Sequence, residues 1–158
     1  RQMCIRDSFC LISQRPGRHE WVPLKDDQLM AILPPTHPLV EADRFPVGRL
    51  RQEPFIEFLP GQETDNSRML QQLQIRPKIR FATSDSRAAI AMVRAGLGIT
   101  LLNDILTADL ADGVAVLPLD PPQSVHLGIA LPEEEHVSPA AKRFITYALD
   151  RLPELDVL

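Results

Sequence analysis

Between Phe55 and Leu119 the sequence alternates between apolar runs of strand length and stretches that carry helix caps. The strand candidates are Phe55–Leu59, Lys78–Ala82, Ile99–Leu102 and Val114–Leu119. Helical patterns separate the first three runs, and a short helix is predicted over Asp104–Leu110. Strands that alternate with helices are typical of a sheet layered between helices. The sequence therefore predicts an α/β fold.

Local cap signals place the predicted helices. Asp65, Asn66 and Ser67 are good N-caps for a helix that must end before Pro77. The segment Thr83-Ser-Asp-Ser86 caps a second helix, which presents Ile90, Val93 and Leu97 on one face. Gly96 lies where a left-handed residue at the helix C-terminus is expected.

Further elements are predicted on either side of this region. Apolar or alternating runs predict strands, and Val47–Arg51 is short enough for one helical turn. The strand candidates are Phe9–Ser13, Trp21–Leu24, Leu29–Leu33 and Val125–Leu131. Ser138 and Pro139 supply the N-cap and first residue of a final helix with an apolar stripe. The stripe residues are Ala141, Phe144, Ile145, Ala148, Leu149 and Leu152.

Composition restricts the class of protein. The 158 residues correspond to about one domain, and a net charge of −4 without a basic cluster disfavours binding of DNA or an anionic membrane by this chain alone. The longest apolar stretch, Ala88–Leu102, contains Arg94 and two glycines, so no membrane span is predicted. Cys4 and Cys10 form no disulfide framework, which favours the reducing cytoplasm.

Motifs of catalysis and of cofactor or metal binding do not emerge from the sequence. Gly96-Leu-Gly98 follows a helix and enters a strand, the reverse of the order in a dinucleotide site. His19-Glu20 begins a zinc motif, but Pro23 stands where the second histidine belongs. Neither cysteine has a recognisable histidine partner in sequence. We therefore predict no catalytic residue, no cofactor and no metal site.

One group of side chains remains as a candidate binding site. Thr83, Ser84 and Ser86 place three hydroxyls where a strand ends and a helix begins, a position that binds anions. The alternative is that Ser84 or Asp85 only caps the helix, and the Asp85 carboxylate competes with an anion for the same N–H groups. Two further loops, Pro60–Gln62 and Asn103–Asp104, follow the neighbouring strands. All three loops are candidates for the lining of one cleft.

Five segments, in order and spacing, resemble the effector-binding domain of LysR-type transcriptional regulators. The most specific is Met92-Val-Arg-Ala-Gly-Leu-Gly-Ile-Thr-Leu-Leu102. The others are Trp21-Val-Pro-Leu24 with Asp27, His37-Pro-Leu39, Pro54-Phe-Ile56 and Ser138-Pro-Ala-Ala-Lys-Arg-Phe144. The resemblance covers nearly all of residues 9–152.

The resemblance implies a fold like that of the type 2 periplasmic binding proteins, in which two crossing strands join two α/β lobes. One lobe is then complete and the other partial. Residues 9–28 are the end of the first lobe and the outbound crossing strand, 29–121 the second lobe, and 122–158 the return strand and final helix. Residues 1–8 are expected to be non-native or disordered. The first lobe's start and a DNA-binding helix-turn-helix are expected to be missing, which would expose Phe144, Ile145 and Leu149.

The resemblance also implies a function and a set of ligand contacts. A small anionic effector is expected between the lobes, with DNA bound only through the helix-turn-helix domain and a dimer or tetramer as the full-length assembly. The implied contacts are Ser13, Phe58, Pro60, Thr83, Ser84, Asp85, Ser86, Thr100, Leu101, Leu102, Asn103 and Ile129. These residues bind and do not catalyse, so the chain is interpreted as a cytoplasmic sensor and not an enzyme.

Two other classes stay open from the sequence. A solute-binding protein for uptake has the same fold, although the start of the chain lacks the apolar region of a signal peptide. An α/β enzyme is disfavoured because no nucleophile, metal or cofactor set is found. The reading frame upstream of Arg1 distinguishes these classes. A helix-turn-helix there would identify a regulator, and a signal peptide would identify an uptake protein.

Overall fold

A computed structural model describes residues 10–12, 20–107, 112–131 and 138–151, and within them the chain forms eight strands and three α-helices. The strands are β1 Cys10–Ile12, β2 Glu20–Leu33, β3 Phe45–Pro46, β4 Pro54–Phe58, β5 Lys78–Thr83, β6 Thr100–Asn103, β7 Ala115–Asp120 and β8 Ser124–Leu131. The helices are α1 Asp65–Gln72, α2 Ser86–Arg94 and α3 Pro139–Arg151. Short 3₁₀ helices cover Val47–Arg51, as predicted, and Asp104–Leu106.

Two units divide the chain. Unit 1 comprises Arg1–Asp26 and Val125–Leu158, and unit 2 comprises Asp27–Ser124. The boundaries fall inside β2 and near the start of β8, so each of these strands contributes residues to both units.

The sheet of unit 2 is built around β2. Met30 pairs with Leu102 of β6 on one side and with Pro118 of β7 on the other, both antiparallel. β7 pairs in parallel with β3, and β4 pairs in parallel with β5. A parallel bridge from Phe55 to Ile99, the residue before β6, connects the two parts. The resulting strand order in unit 2 is β5-β4-β6-β2-β7-β3.

α2 covers one face of this sheet because its apolar residues recur at helical spacing. The buried cluster there consists of Met30, Ile32, Ile56, Ala89, Ile90, Val93 and Leu102. At the end of α2, Gly96 takes a φ of +76°, and the N–H groups of Gly96 and Leu97 donate to Val93 O and Met92 O. These two bonds satisfy carbonyls that the helix end leaves open, so the predicted C-terminal role of Gly96 is confirmed.

α1 and β5 differ in detail from the prediction. The N-cap of α1 is Thr64 and not one of the three residues after it; Thr64 Oγ1 accepts from Ser67 N, while Ser67 Oγ accepts from Thr64 N. The alternation of polar and apolar residues in β5 is typical of a strand with one solvated face, but Lys78–Ala82 are exposed on both faces. β5 is an edge strand that pairs only with β4 among the described residues, and the buried cluster under α2 contains none of its side chains.

Unit 1 pairs distant parts of the sequence. β1 is antiparallel to β8, with Cys10 opposite Ala130. On α3, Ser138 Oγ accepts from Ala141 N, which confirms the predicted N-cap. The expectation that Ile145 is exposed is wrong, because Ile145 is buried. Its packing partners are Ile129, Val22 and Leu24. Phe144 and Leu149 are exposed, as expected.

Other parts of the prediction differ from the structure or fall outside the described residues. Trp21–Leu24 and Leu29–Leu33 are not separate strands but parts of the continuous β2. β3 was not predicted. The helix expected over Asp104–Leu110 is a 3₁₀ turn that ends at Leu106, and residues 108–111 lie outside the described part of the chain.

Candidate functional site

The ends of β4 and β5 bring two of the predicted segments together. The strands are parallel, with Phe58 opposite Thr83, and Leu59 N donates to Thr83 O at 2.9 Å. Pro60 therefore follows β4 at the same edge of the sheet where Ser84 follows β5. Such edges, at the carboxyl ends of parallel strands, are the usual ligand positions of open α/β sheets.

β6 brings its end to the same edge. It runs parallel to β4, with Ile56 N donating to Ile99 O at 2.9 Å and Thr100 Oγ1 donating to Ile56 O at 2.8 Å. Asn103, the last residue of β6, consequently lies at the edge formed by the ends of β4 and β5. We call this edge, defined by Phe58–Pro60, Thr83–Ser86 and Asn103, the strand-end edge.

The four ligand contacts predicted on β6 differ in solvent exposure. Thr100, Leu101 and Leu102 are fully buried, and the hydroxyl of Thr100 is already paired with Ile56 O. Their side chains hold the sheet together and offer no polar group to a ligand. Asn103 is half-buried, and its side chain has no hydrogen-bond partner among the described residues. Asn103 is thus the β6 residue whose polar side chain remains available.

The start of α2 is capped by the protein's own carboxylate. Asp85 Oδ1 accepts from Arg87 N at 2.8 Å and from Ala88 N at 3.1 Å, and Thr83 Oγ1 accepts from Asp85 N at 3.2 Å. These bonds occupy N–H groups that an anion at the helix terminus would use. The hydroxyls of Thr83, Ser84 and Ser86 are further donors at this loop.

Two predicted contacts do not belong to the described part of unit 2. Ile129 is buried in unit 1, where it packs with Ile145, Val22 and Leu24. Its side chain is therefore part of a hydrophobic core. Ser13 lies outside the described residues.

A cavity of about 320 Å³ in unit 2 was not found by sequence reasoning. It is lined by residues of α1, β4 and β5 and by the loops that connect them. Of the predicted site residues it includes only Phe58, and Leu59 beside it has a φ of +54°, unusual for a residue with a side chain. No sequence motif marks the cavity, because it arises from the packing of a short helix against an edge strand. Composition alone does not reveal such a space.

Two further features, a metal site and a membrane-spanning helix, were sought among the described residues. Within the described ranges, no three His, Cys, Asp or Glu side chains come close enough together to hold a metal ion. Among those same residues, no helix combines the length and apolar character needed to cross a membrane.

The fold is that of the regulatory domains of LysR regulators, which resemble type 2 periplasmic binding proteins. The regulatory domain of Synechocystis PCC6803 CcmR, solved in complex with 2-PG, superimposes with a TM-score of 0.80 at 19% identity, covering 93% of this chain and 74% of that one. The effector-binding domain of QuiR in complex with shikimate gives a TM-score of 0.78 at 22% identity, covering 93% and 72%. These likenesses establish the α/β architecture.

Sequence comparison identifies the family. Residues 8–153 match the LysR substrate binding domain. A Bacillus subtilis (strain 168) relative, described as the uncharacterized HTH-type transcriptional regulator YybE, is 26% identical over 137 residues, which cover 85% of this chain and 47% of the relative. The chain belongs to the LysR substrate binding domain family, and it spans about half the length of the curated relatives it matches. The comparisons therefore favour a regulator domain over an uptake protein or an enzyme.

Proposed function

We propose that this chain is the effector-sensing part of a LysR-type bacterial transcription regulator, and that it binds a small anionic molecule at the strand-end edge. The match of residues 8–153 to the LysR substrate binding domain carries the first part of this proposal. The second part is supported by the neighbouring structures, whose regulatory and effector-binding domains were solved with 2-PG and shikimate.

Geometry selects the residues proposed to contact the effector. Thr83, Ser84, Ser86 and Asn103 combine hydroxyl and amide donors with incomplete burial. Phe58 and Pro60 border them on the neighbouring strand end. Thr100, Leu101 and Leu102 are proposed to support the edge from within, since they are fully buried. A ligand that binds one arrangement of the protein better than another shifts the population between them, which is how such a sensor acts.

The effector proposal is tested by thermal unfolding of the chain with shikimate, succinate and citrate as probe anions. The Ser84→Ala variant removes a donor and is expected to reduce the anion-induced increase in Tm. Asp85→Asn keeps a good N-cap but removes the competing negative charge, so it is expected to strengthen anion binding about two- to fivefold. Thr36→Ala, in an exposed turn of the same unit, is the matched control. An anion response that is absent, or unchanged in both edge variants, contradicts the proposed site.

DNA binding is proposed to belong to a helix-turn-helix part of the whole regulator and not to this chain. The relatives are HTH-type transcriptional regulators of which the chain spans about half, and the net charge here is −4. In a gel-shift assay without competitor, a DNA duplex should bind the full-length protein and not the isolated chain. Retardation of that duplex by the chain alone contradicts the proposal. Because the regulator acts on the chromosome, we propose the cytoplasm as its location, which fractionation of cells tests.

Self-association through the β5 edge is proposed for the full-length protein. Ile79 and Phe81 are 52% and 42% exposed on this strand, whose outer side pairs with no described residue. An unpaired strand with apolar side chains is a template for a second chain, whereas Lys78 and Arg80 oppose indiscriminate pairing. Ile79→Lys should lower the oligomeric state in analytical ultracentrifugation, and Tyr147→Ser, an exposed aromatic in unit 1, should not. Equal assembly of both variants contradicts this interface.

A further inference from the structure

Asn103 stands at the N-cap position of the 3₁₀ helix Asp104–Leu106, yet its side chain does not cap that helix. Its φ of −65° and ψ of 143° are extended, as an N-cap requires, and asparagine is among the best N-cap residues. A side chain at this position normally accepts from the N–H group two or three residues later, here Ile105 N or Leu106 N. The Asn103 side chain makes no such bond, so its amide stays free of the helix.

A carboxylate on β2 takes the place of this cap. Asp27 Oδ2 accepts from Ile105 N at 3.4 Å, while Asp27 Oδ1 accepts from Gln28 N at 2.8 Å. The shorter bond fixes the carboxylate, and the negative charge strengthens the longer one. Sheet register explains the contact, because Leu29 pairs with Asn103 in the antiparallel ladder of β2 and β6. The same register, continued by two residues, sets the half-buried Asp27 opposite Ile105.

The other end of the 3₁₀ helix is closed by its own neighbours. Thr107 is buried, and both its N–H group and its Oγ1 donate to Asp104 O, at 2.8 Å and 2.7 Å. Thr107 Oγ1 also lies 3.2 Å from Asp104 Oδ1. The Asp104 carboxylate is thus engaged at the helix end, whereas the N–H group at the helix start is satisfied from β2.

We propose that Asp27 is a positioning residue of the strand-end edge, because its cap on Ile105 N keeps the Asn103 amide available to the anionic effector. This inference rests on the proposed function, in which Asn103 contacts the anion. Asp27 does not touch the ligand. Without its carboxylate, Asn103 Oδ1 binds Ile105 N as an ordinary N-cap, and the anion loses a donor.

Asp27→Asn and Asp26→Asn form a matched pair of adjacent, isosteric substitutions. In Asp27→Asn the remaining carbonyl oxygen can accept from Gln28 N, whereas the introduced NH₂ group cannot accept from Ile105 N. Asp26→Asn removes the same charge from an exposed side chain, whose carboxylate contacts His126 Nδ1 at 2.7 Å. Charge alone predicts slightly tighter anion binding in both variants. The positioning role predicts instead that Asp27→Asn weakens anion binding about three- to tenfold, the effect of one hydrogen bond.

A third variant tests whether Asp27 acts through Asn103. Asn103→Ala should lower the anion affinity by a similar factor, and adding Asp27→Asn to it should cause no further loss. Stability should follow the opposite pattern. Each single variant keeps one cap for Ile105 N, so its Tm should change by less than about 1 °C, whereas the double variant should melt about 2–4 °C lower. A purely structural role for Asp27 would lower the Tm of the single variant and leave its anion affinity unchanged.

Calorimetric titration of the chain with shikimate, succinate and citrate gives the affinities, and thermal unfolding without anion gives the Tm values. Equal affinities in Asp27→Asn and Asp26→Asn, together with a loss in Asn103→Ala, would overturn this inference and leave the effector proposal intact. A further loss when Asp27→Asn is added to Asn103→Ala would also overturn it, since Asp27 would then act on another residue. If none of the three anions binds, or if Asn103→Ala loses no affinity, the proposed anion site fails and this inference fails with it.

Discussion

Thr100 is a buried polar residue whose hydrogen bond links two strands. Its side chain is fully buried, and its Oγ1 donates to Ile56 O across the parallel strands β6 and β4. An isosteric Thr100→Val substitution removes the hydroxyl donor to Ile56 O. It is expected to lower the free energy of unfolding by about 1–2 kcal/mol, as measured by urea denaturation. Thr100→Ser keeps the hydroxyl and controls for its loss. Equal unfolding energies for the Val variant and the unmodified chain would contradict this account.

Gly98 is required for a close approach between two strands. A Cβ atom at this position would lie 2.5 Å from Pro54 O, the carbonyl that accepts from Ile99 N. The backbone φ of +155° adds to the cost of a side chain. Gly98→Ala is therefore expected to destabilise the chain by roughly 2–3 kcal/mol. Gly48→Ala, where a Cβ would meet no atom within 4 Å, should change stability little. Similar melting temperatures for both variants would show that the approach is relaxed in solution.

Some site residues could be predicted from the sequence, and others could not. The hydroxyls of Thr83, Ser84 and Ser86 could be located because a strand–helix junction is a local pattern. Sequence could not show that Asp85 uses the N–H groups of Arg87 and Ala88, because capping depends on actual side-chain geometry. Nor could it show that Thr100 faces inward, since β6 is covered by neighbours distant in sequence.

At the scale of elements, α3 shows how much one buried residue contributes. Ile145 packs against Ile129, Val22 and Leu24, whereas Tyr147 on the same helix is 62% exposed. Ile145→Ala is expected to cost about 2–4 kcal/mol of unfolding free energy, because it removes buried methylene groups. Tyr147→Ala removes an exposed ring and its contact with the Arg151 guanidinium, and it should cost only about 0.5–1 kcal/mol. Denaturant titrations of the two variants test this, and comparable losses would mean that α3 is not docked through Ile145.

Elements with strong local signals were predicted well, and those defined by pairing were not. Thr83–Ser86, Gly96 and Ser138 mark helix ends that the structure confirms. β2 looked like two strands because Asp26-Asp27-Gln28 is polar. It continues because Leu29 N donates to Gln123 O and because β2 pairs with β6 and β7, contacts between residues that are distant in sequence. β3 was missed since two residues carry no periodicity.

At the scale of the whole molecule, the two units differ in their described cores. Unit 2 buries many large apolar side chains completely, Ile32 and Leu101 among them, while the described core of unit 1 centres on Ile129 and Ile145. Unit 1 is therefore expected to open at lower free energy. Native-state hydrogen exchange should show faster exchange for the amide of Ile129 than for those of Ile32 and Leu101. A single common opening energy would show that the units unfold together.

The division of the chain also has a consequence for the order of synthesis. Unit 2 is a continuous segment inserted between the two segments of unit 1, and β1 pairs with β8 across more than a hundred residues of sequence. Asp27–Ser124 can fold as it leaves the ribosome, since all of its strands are then present. Cys10–Ile12 must wait for a partner strand that is translated only after the whole of unit 2. During this interval β1 lacks its partner β8, and the edge of β1 that pairs with β8 is open to chaperones and to neighbouring nascent chains.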